Sequence, residues 1–515
     1  MAGRRNRDTP PSSAAASRGK KGALGALVFV GLATGAAFAG GSHLRARFTH
    51  QMTGGPGGST RLAQSAQSSG GAARMVGRGG YMGNGTLNAE PAVGQDDEEG
   101  LGAAELFREV HRHVRDNYVD KLPDANKLSH GAIRAMLAEL DDPHSRFLEP
   151  EERQALTAQE QQGRYAGIGA ALRLVDTKRD GYTEHHLVVA ATLPGSPAQK
   201  AGLRAGDVVA RVDGKYVLTS DPFLALNRVV KRIESGEATE DDVEKLRQGQ
   251  ETTQKKLTSG IALGEAQRRL TLGTGEKRMI VVQRPGEKEP ITVELTTGAT
   301  TVPAPIARPL ASGGALYIQV PALTGATAKA VGDLLAQSAP AGRGVVLDLR
   351  DNPGGPLAAM RQVAGLFAPA PAAAKGNNAA LLMLQSARGK RSPVLAAAPA
   401  SGAPAPRPLV VLVNKGTAGE AEGLAAALRD RSGATLIGGR TFGDALVQTL
   451  YPLADGSGYT LTTGKLLGAA SGASWQDAGL TPAVALNGNV AEEQVLARAV
   501  SVLKSRGAKI ADAAP

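Results

Sequence analysis

The residues best placed to do chemistry lie in the run Val410-Val-Leu-Val-Asn-Lys-Gly-Thr-Ala-Gly419-Glu-Ala-Glu-Gly-Leu-Ala-Ala-Ala-Leu-Arg-Asp430. An apolar, β-rich run stops at a Gly-Thr turn and passes into an alanine-rich helix, which is the build of a nucleophile elbow. Backbone amides and the positive end of the helix dipole gather at such a start, so a nucleophile there is well served. Here Gly419 and Ala421 stand where a hydroxyl is expected, so the scaffold is enzyme-like and lacks its reacting atom. Thr417 with Lys415 as base could be a displaced nucleophilic pair; the plainer reading, which the residue type favours before a helix, is a turn or N-cap hydrogen bond. Glu420, Glu422 and Asp444 could together activate a water or hold a metal, or be solvated and ion-paired. Asp348 and Asp351 fit turn geometry and pairing with Arg350, in a loop that Arg350 and Asp351 hold before Gly354. All eight histidines precede Leu187, which leaves none for a His-based triad in this half of the chain.

The elements that must position these residues alternate from Val302 onward: ALYIQVPAL, TAKAVGDLLAQS, GVVLDLRDN, PLAAMRQVAGLF, VVLVN, the elbow helix, ATLIGG and the hairpin YPLADGSGYTLTT. Such alternation predicts an α/β core with a helix-covered sheet over 299–490, followed by a C-terminal helix and tail over 491–515. Trp475, the only Trp, is expected to anchor the hairpin. Residues 161–298 read as a small β-rich module. Within it, the consecutive amides of Gly167, Ile168, Gly169 and Ala170 could grip a terminal carboxylate while a neighbouring strand edge takes up a peptide. The same GIG run is also consistent with a tight strand entry. The charged stretch at about 227–270 reads as a solvated helical insertion. Residues 101–160 are helical, with Ala104, Leu106, Val110, Val114 and Tyr118 recurring at steps of two to four, until the turn LDDPHSRFLEP breaks the pattern. His144 in that turn reads as a packed residue.

Composition bounds the remainder. Aromatic residues make up 3%, so the core must be built from Ala, Val and Leu, and the absence of cysteine removes disulfides, thiolate metal sites and a Cys nucleophile. The net charge of +11 is uneven. Arg4, Arg5, Arg7, Arg18, Lys20 and Lys21 crowd residues 1–21, and GALGALVFVGLATGAAFAGGS (22–42) carries no charge and is about long enough to cross a bilayer. Basic residues ahead of it predict a cytoplasmic basic tail, an inner-membrane anchor and an exported remainder in the cell envelope. The alternative is a cleaved signal sequence with Ala37-Phe38-Ala39 as the small-residue site, releasing the protein to the periplasm. Residues 43–100 form a flexible linker rich in Gly, Ser, Ala and Gln. A charge surplus placed in this way makes no case for nucleic acid.

Taken in order, DNYVD, LDDPHSRFLEP, GIG, GSPAQKAGLRAGDVVARVDG, DLRDNPGG, VLVNKGTAGEAE, TFGDALVQT and LTTGK resemble the carboxyl-terminal processing peptidases, or tail-specific proteases, from about Leu106 to Val484. The resemblance implies a ClpP/crotonase-like core of mixed sheet and helices carrying an inserted PDZ domain, Ser–Lys proteolysis with a supporting Gln, and no cofactor or metal. It also implies that the PDZ domain binds substrate C-termini or gates the site. The family's T-A-S-A-S-E falls on Thr417-Ala418-Gly419-Glu420-Ala421-Glu422, so the serine position is Gly419. Its F-G-K-G falls on Phe442-Gly443-Asp444-Ala445, so the lysine position is Asp444. The glutamine survives as Gln448, the helix-end aspartate as Asp430, and the glycine pair that helps form the oxyanion hole as Gly354 and Gly355. A Ser–Lys mechanism needs an attacking oxygen and a neutral amine, and no lysine lies between Lys415 and Lys465 to substitute. Hydrolysis should then fall near background, with retained oxyanion donors still able to supply ~10³–10⁴-fold over water. The expected protein is an exported pseudo-peptidase that binds peptide C-termini or partner proteins and regulates or serves an active relative. The alternatives are an active serine-type peptidase with a non-standard nucleophile and a structural envelope scaffold.

Overall fold

The computed structural model describes residues 98–507 apart from 123, 180–181, 221–238, 240–255, 257, 311–314, 339–342, 369–379, 398–406 and 487–489. The expected basic tail, the apolar segment 22–42, nearly all of the linker and much of the charged insertion lie outside the described residues. Among those that are described, no helix is long and apolar enough to cross a membrane. They divide into two units, 98–133 and 134–507. The first holds helix α1 (Glu98–Asn117) and the opening of α2 (Ala125–Ala138). The helical period expected around Leu106, Val110 and Val114 lies in α1, where all three side chains are exposed.

In the second unit, helix α3 (Pro150–Gln162) begins with Pro in its first turn and with the Glu152 carboxylate accepting from the Glu149 amide at 3.1 Å. It ends at Gly163, whose φ of 63° caps the last carbonyls. A β-rich domain follows, with strands β1 (Ala170–Arg179), β2 (Tyr182–Thr192) and β3 (Val208–Val212), helix α4 (Leu263–Thr271), and strands β4 (Lys277–Gln283) and β5 (Ile291–Thr296). Strands β1 and β2 are antiparallel, with Ala170 opposite Thr192. In β5, Val293 and Leu295 point inward while Thr292 and Glu294 face water, the period-two pattern of a half-buried strand. Ile168, Leu187, Leu270, Ile280 and Val282 fill the core of this domain. The expectation that 227–270 is a solvated insertion fails at its end. Ala266 and Leu270, one turn apart on α4, are fully buried, while Glu265 pairs outward with Arg268 and Arg269. The dense charge of LGEAQRRLT obscures a two-residue apolar stripe that is enough to cover this small sheet.

The core contains strands β6 (Ile306–Pro309) and β7 (Ala315–Gln319), helix α5 (Thr327–Ser338), β8 (Gly344–Asp348), α6 (Leu357–Phe367), β9 (Ala380–Gln385), β10 (Arg391–Leu395), β11 (Leu409–Val413), α7 (Glu420–Ser432), β12 (Thr435–Gly438), β13 (Leu446–Pro452), β14 (Gly458–Gly468), β15 (Val484–Ala485) and α8 (Glu492–Ser505). The main sheet runs β6-β7-β8-β11-β12-β15, parallel except for the edge strand β6. GVVLD and LVVLV are buried at every position because both faces of the sheet are covered, and such strands lose the polar alternation. Residues of α5, α6 and α7 pack on one face and residues of α8 on the other. A second, antiparallel sheet joins β14 to β9, β13 and the short strand Arg146–Leu148, with β10 beyond β9. This is the α/β architecture with a β-rich insertion that the sequence predicts.

Candidate active site

The turn between β11 and α7 is tied on both sides. The buried Thr417 hydroxyl donates to the Leu349 carbonyl at 2.7 Å and accepts from the Asn414 amide at 3.1 Å. The Asn414 side chain accepts from the amides of Gly416 and Asp351, each at 2.9 Å, and donates to the Asp351 carboxylate at 3.0 Å. The elbow is thereby fastened to the loop that carries Gly354 and Gly355. With its bonds committed inside the turn, Thr417 offers no free nucleophile, and the exposed Lys415 does not line the cleft.

Gly419 heads α7 with φ 57° and ψ −128°, a conformation that costs any other residue strain. A Cβ placed there would nevertheless have room. Its nearest neighbours would be the Pro353 carbonyl at 3.6 Å, Arg173 Nη2 at 3.7 Å and Asp444 Oδ2 at 3.9 Å, none of them a hydroxyl or an amine. The fold brings Gly419, Asp444, Gly354 and Gly355 together, and Gln448 lines the same cavity of about 180 Å³, its amide donating to Thr462 Oγ1 at 2.8 Å.

The cation at this site is one the sequence reading misses. Arg173, on β1 of the β-rich domain, donates from Nε to Asp444 Oδ2 at 2.9 Å and from Nη2 to the Pro353 carbonyl at 3.0 Å. The paired Asp444 side chain is 16% exposed. Its loop is held from below by Glu422, a buried carboxylate that accepts from the Thr441 hydroxyl, from the amides of Gly443 and Asp444 at 2.8 Å, and from the Gly419 amide at 3.1 Å. Burial pushes the Glu422 carboxyl up to about 8 against the pull of these donors. Burial likewise pushes Glu420 up to about 7, opposed by Arg173 and reinforced by Asp444. Trp475, the expected anchor of the hairpin, donates from its indole to the Asp444 carbonyl at 3.3 Å and so props this loop.

The two glycines expected to serve as free oxyanion donors are engaged. The Gly354 amide donates to Asn352 Oδ1 at 2.9 Å, and the Gly355 amide to Glu420 Oε2 at 3.4 Å. Asp348 accepts from Arg350 Nε at 2.9 Å and from the Tyr317 hydroxyl at 2.7 Å, so this buried acid is structural, as its sequence context suggests. Asp430 is mostly buried beside Arg429, at 2.8 Å. His144 sits in its turn, with its carbonyl accepting from Thr460 Oγ1 at 3.1 Å.

Of the four amides expected to hold a peptide carboxylate, two are already spent: Gly167 donates to the Gly273 carbonyl at 3.1 Å and Ile168 to the Leu270 carbonyl at 2.8 Å. Gly169 and Ala170 lead into β1, which pairs only with β2 among the described residues. Beside β1 runs a groove toward α4, a cavity of about 90 Å³ lined by Ala170, Leu172, Arg173, Gln267 and Thr271 among others.

Comparison with known proteins agrees with this architecture. Residues 314–486 match the model of peptidase family S41, and residues 188–226 that of a PDZ domain. The chain is 31% identical over 354 residues to the chloroplastic C-terminal processing peptidase of Tetradesmus obliquus, covering 68% of this chain and 67% of that one. It is also 31% identical over 353 residues to a carboxyl-terminal-processing protease of Synechocystis, covering 68% and 70%. Among solved structures, the photosystem II D1 C-terminal processing protease aligns with a TM-score of 0.53 at 27% identity, covering 78% of this chain and 97% of that chain. The ordered motifs, the PDZ domain and the elbow packed against the Gly354–Gly355 loop thus have one common source: this chain belongs to the carboxyl-terminal processing peptidases of family S41.

Proposed function

We propose that the chain is a non-catalytic member of this family, an exported protein tethered through residues 22–42 that binds peptide or protein C-termini and regulates or serves an active relative. The observation that carries the reading is what surrounds the Cβ position of Gly419: a carbonyl, a guanidinium and a carboxylate. No hydroxyl stands there to attack, and Asp444, already bound to Arg173, supplies an anion where an amine must accept a proton. Peptide binding is supported by the edge of β1 beside α4, unpaired among the described residues, since PDZ domains take up a peptide as an added strand in such a groove. Because Gly167 and Ile168 are engaged, the terminal carboxylate would rely on other donors, and the closed-groove scaffold draws its support from the same fact.

The test incubates the full chain with unstructured C-terminal peptides and with a fluorophosphonate probe, and measures peptide affinity by fluorescence anisotropy. Binding without turnover or adduct is expected. Turnover, or a labelled hydroxyl, would reject the non-catalytic reading; no binding to any tail would favour the scaffold.

A further inference from the structure

We infer that Glu420 is a third disabling substitution, whose carboxylate fills the oxyanion pocket and closes it to a substrate carbonyl. The inference rests on the non-catalytic reading and adds a cause to it beyond Gly419 and Asp444. An oxyanion pocket works by pointing unengaged N–H groups at the place where negative charge develops. Here that place holds a permanent carboxyl group. Glu420 Oε2 accepts from the Gly355 amide at 3.4 Å and lies 3.0 Å from where a Cβ on Gly354 would sit. The Gly419 amide is taken by Glu422 at 3.1 Å. With Gly354 bonded to Asn352, the amides of Gly354, Gly355 and Gly419 each already have an acceptor inside the chain.

Two features keep the side chain in that seat. Glu420 is the first residue of α7, where the helix dipole favours an anion, and the Arg173 guanidinium supplies the nearest positive charge. The family motif has Ala at this position, which carries no carboxylate to occupy these amides. A peptide tail held in the groove between β1 and α4 therefore stops at that groove and does not thread its carbonyl onto the elbow.

The experiment compares fluorophosphonate labelling of the full chain carrying Gly419→Ser with Asp444→Lys and of the same chain carrying Glu420→Ala in addition. Losing one oxyanion donor typically costs ~10²–10³-fold, so the triple variant should label at least about 100-fold faster than the double. Equal labelling of the two would overturn the inference. Gly419→Ser is strained at this backbone, so a readout without chemistry is added. In ¹⁵N spectra, titrated acetate should shift the Gly355 amide in Glu420→Ala and leave it unmoved in the unmodified chain. An amide that responds equally in both, or in neither, overturns the inference even if neither multiple variant labels. Hydrolysis by the unmodified chain would instead defeat the non-catalytic reading and is seen separately.

Discussion

Replacing Glu420 with glutamine should remove a pH dependence of stability whose sign is fixed by the site. The carboxyl has an ordinary value of 4.5 and is pushed up to about 7 in the folded chain, mainly by burial. Between those values the folded protein keeps a proton that the unfolded chain has released, so stability falls as pH rises through this window. At ~1.4 kcal/mol per pH unit the full effect is ~3 kcal/mol, and partial contact with water lowers it to about 2 kcal/mol. The substituted amide carries no titratable proton, and Glu422 contributes equally to both proteins. The variant should therefore match the parent within about 0.5 kcal/mol near pH 5 and exceed it by about 2 kcal/mol near pH 8.5. Urea unfolding followed through the emission of Trp475, the only tryptophan, reads this difference within the core. A gap between the two proteins that is the same at both pH values would refute the assignment of Glu420 as a carboxyl disfavoured as an anion.

Two further outcomes follow from the same contacts. Arg173→Gln should destabilise by ~1–3 kcal/mol by leaving the Asp444 carboxylate unpaired in the cleft, and Asp444→Asn should largely restore it; a double-mutant cycle showing less than ~0.5 kcal/mol of coupling would mean the pair is only a crossing of side chains. Glu422→Ala strands four donors in a buried site and should cost at least ~2 kcal/mol in thermal or urea melts; a near-neutral result would show that the 441–444 loop is held by other contacts.

The order of elements and the elbow are legible in the chain because their signals are local. GVVL and LVVLV are continuous apolar runs of the kind a doubly covered strand tolerates, and the Gly-Thr turn marks where the second of them ends. Gly354, Gly355, Gly419 and Asp444 can be aligned by motif, and the fold does gather them. What governs the cleft's chemistry is not legible. Arg173 and Asp444 are 271 positions apart, and no period or spacing connects an arginine on one domain's edge strand with a loop of another. Glu420 reads as a water-activating, metal-holding or solvated acid until its carboxylate is seen against the Gly355 amide. Helix α4 escapes the sequence reading because abundant charge in a short segment says little about whether two apolar residues one turn apart are buried.

The backbone at Gly419 has a consequence for how such a site could change over time. At φ 57° and ψ −128° a residue with a side chain stores ~1–3 kcal/mol, which an active enzyme must carry for its whole working life. Glycine carries no such tension, so on the proposed non-catalytic reading the residue that removes the attacking oxygen also makes the molecule sturdier. On that reading, restoring a side chain would climb the same slope before any catalytic benefit appeared, which would give such a loss the character of a ratchet.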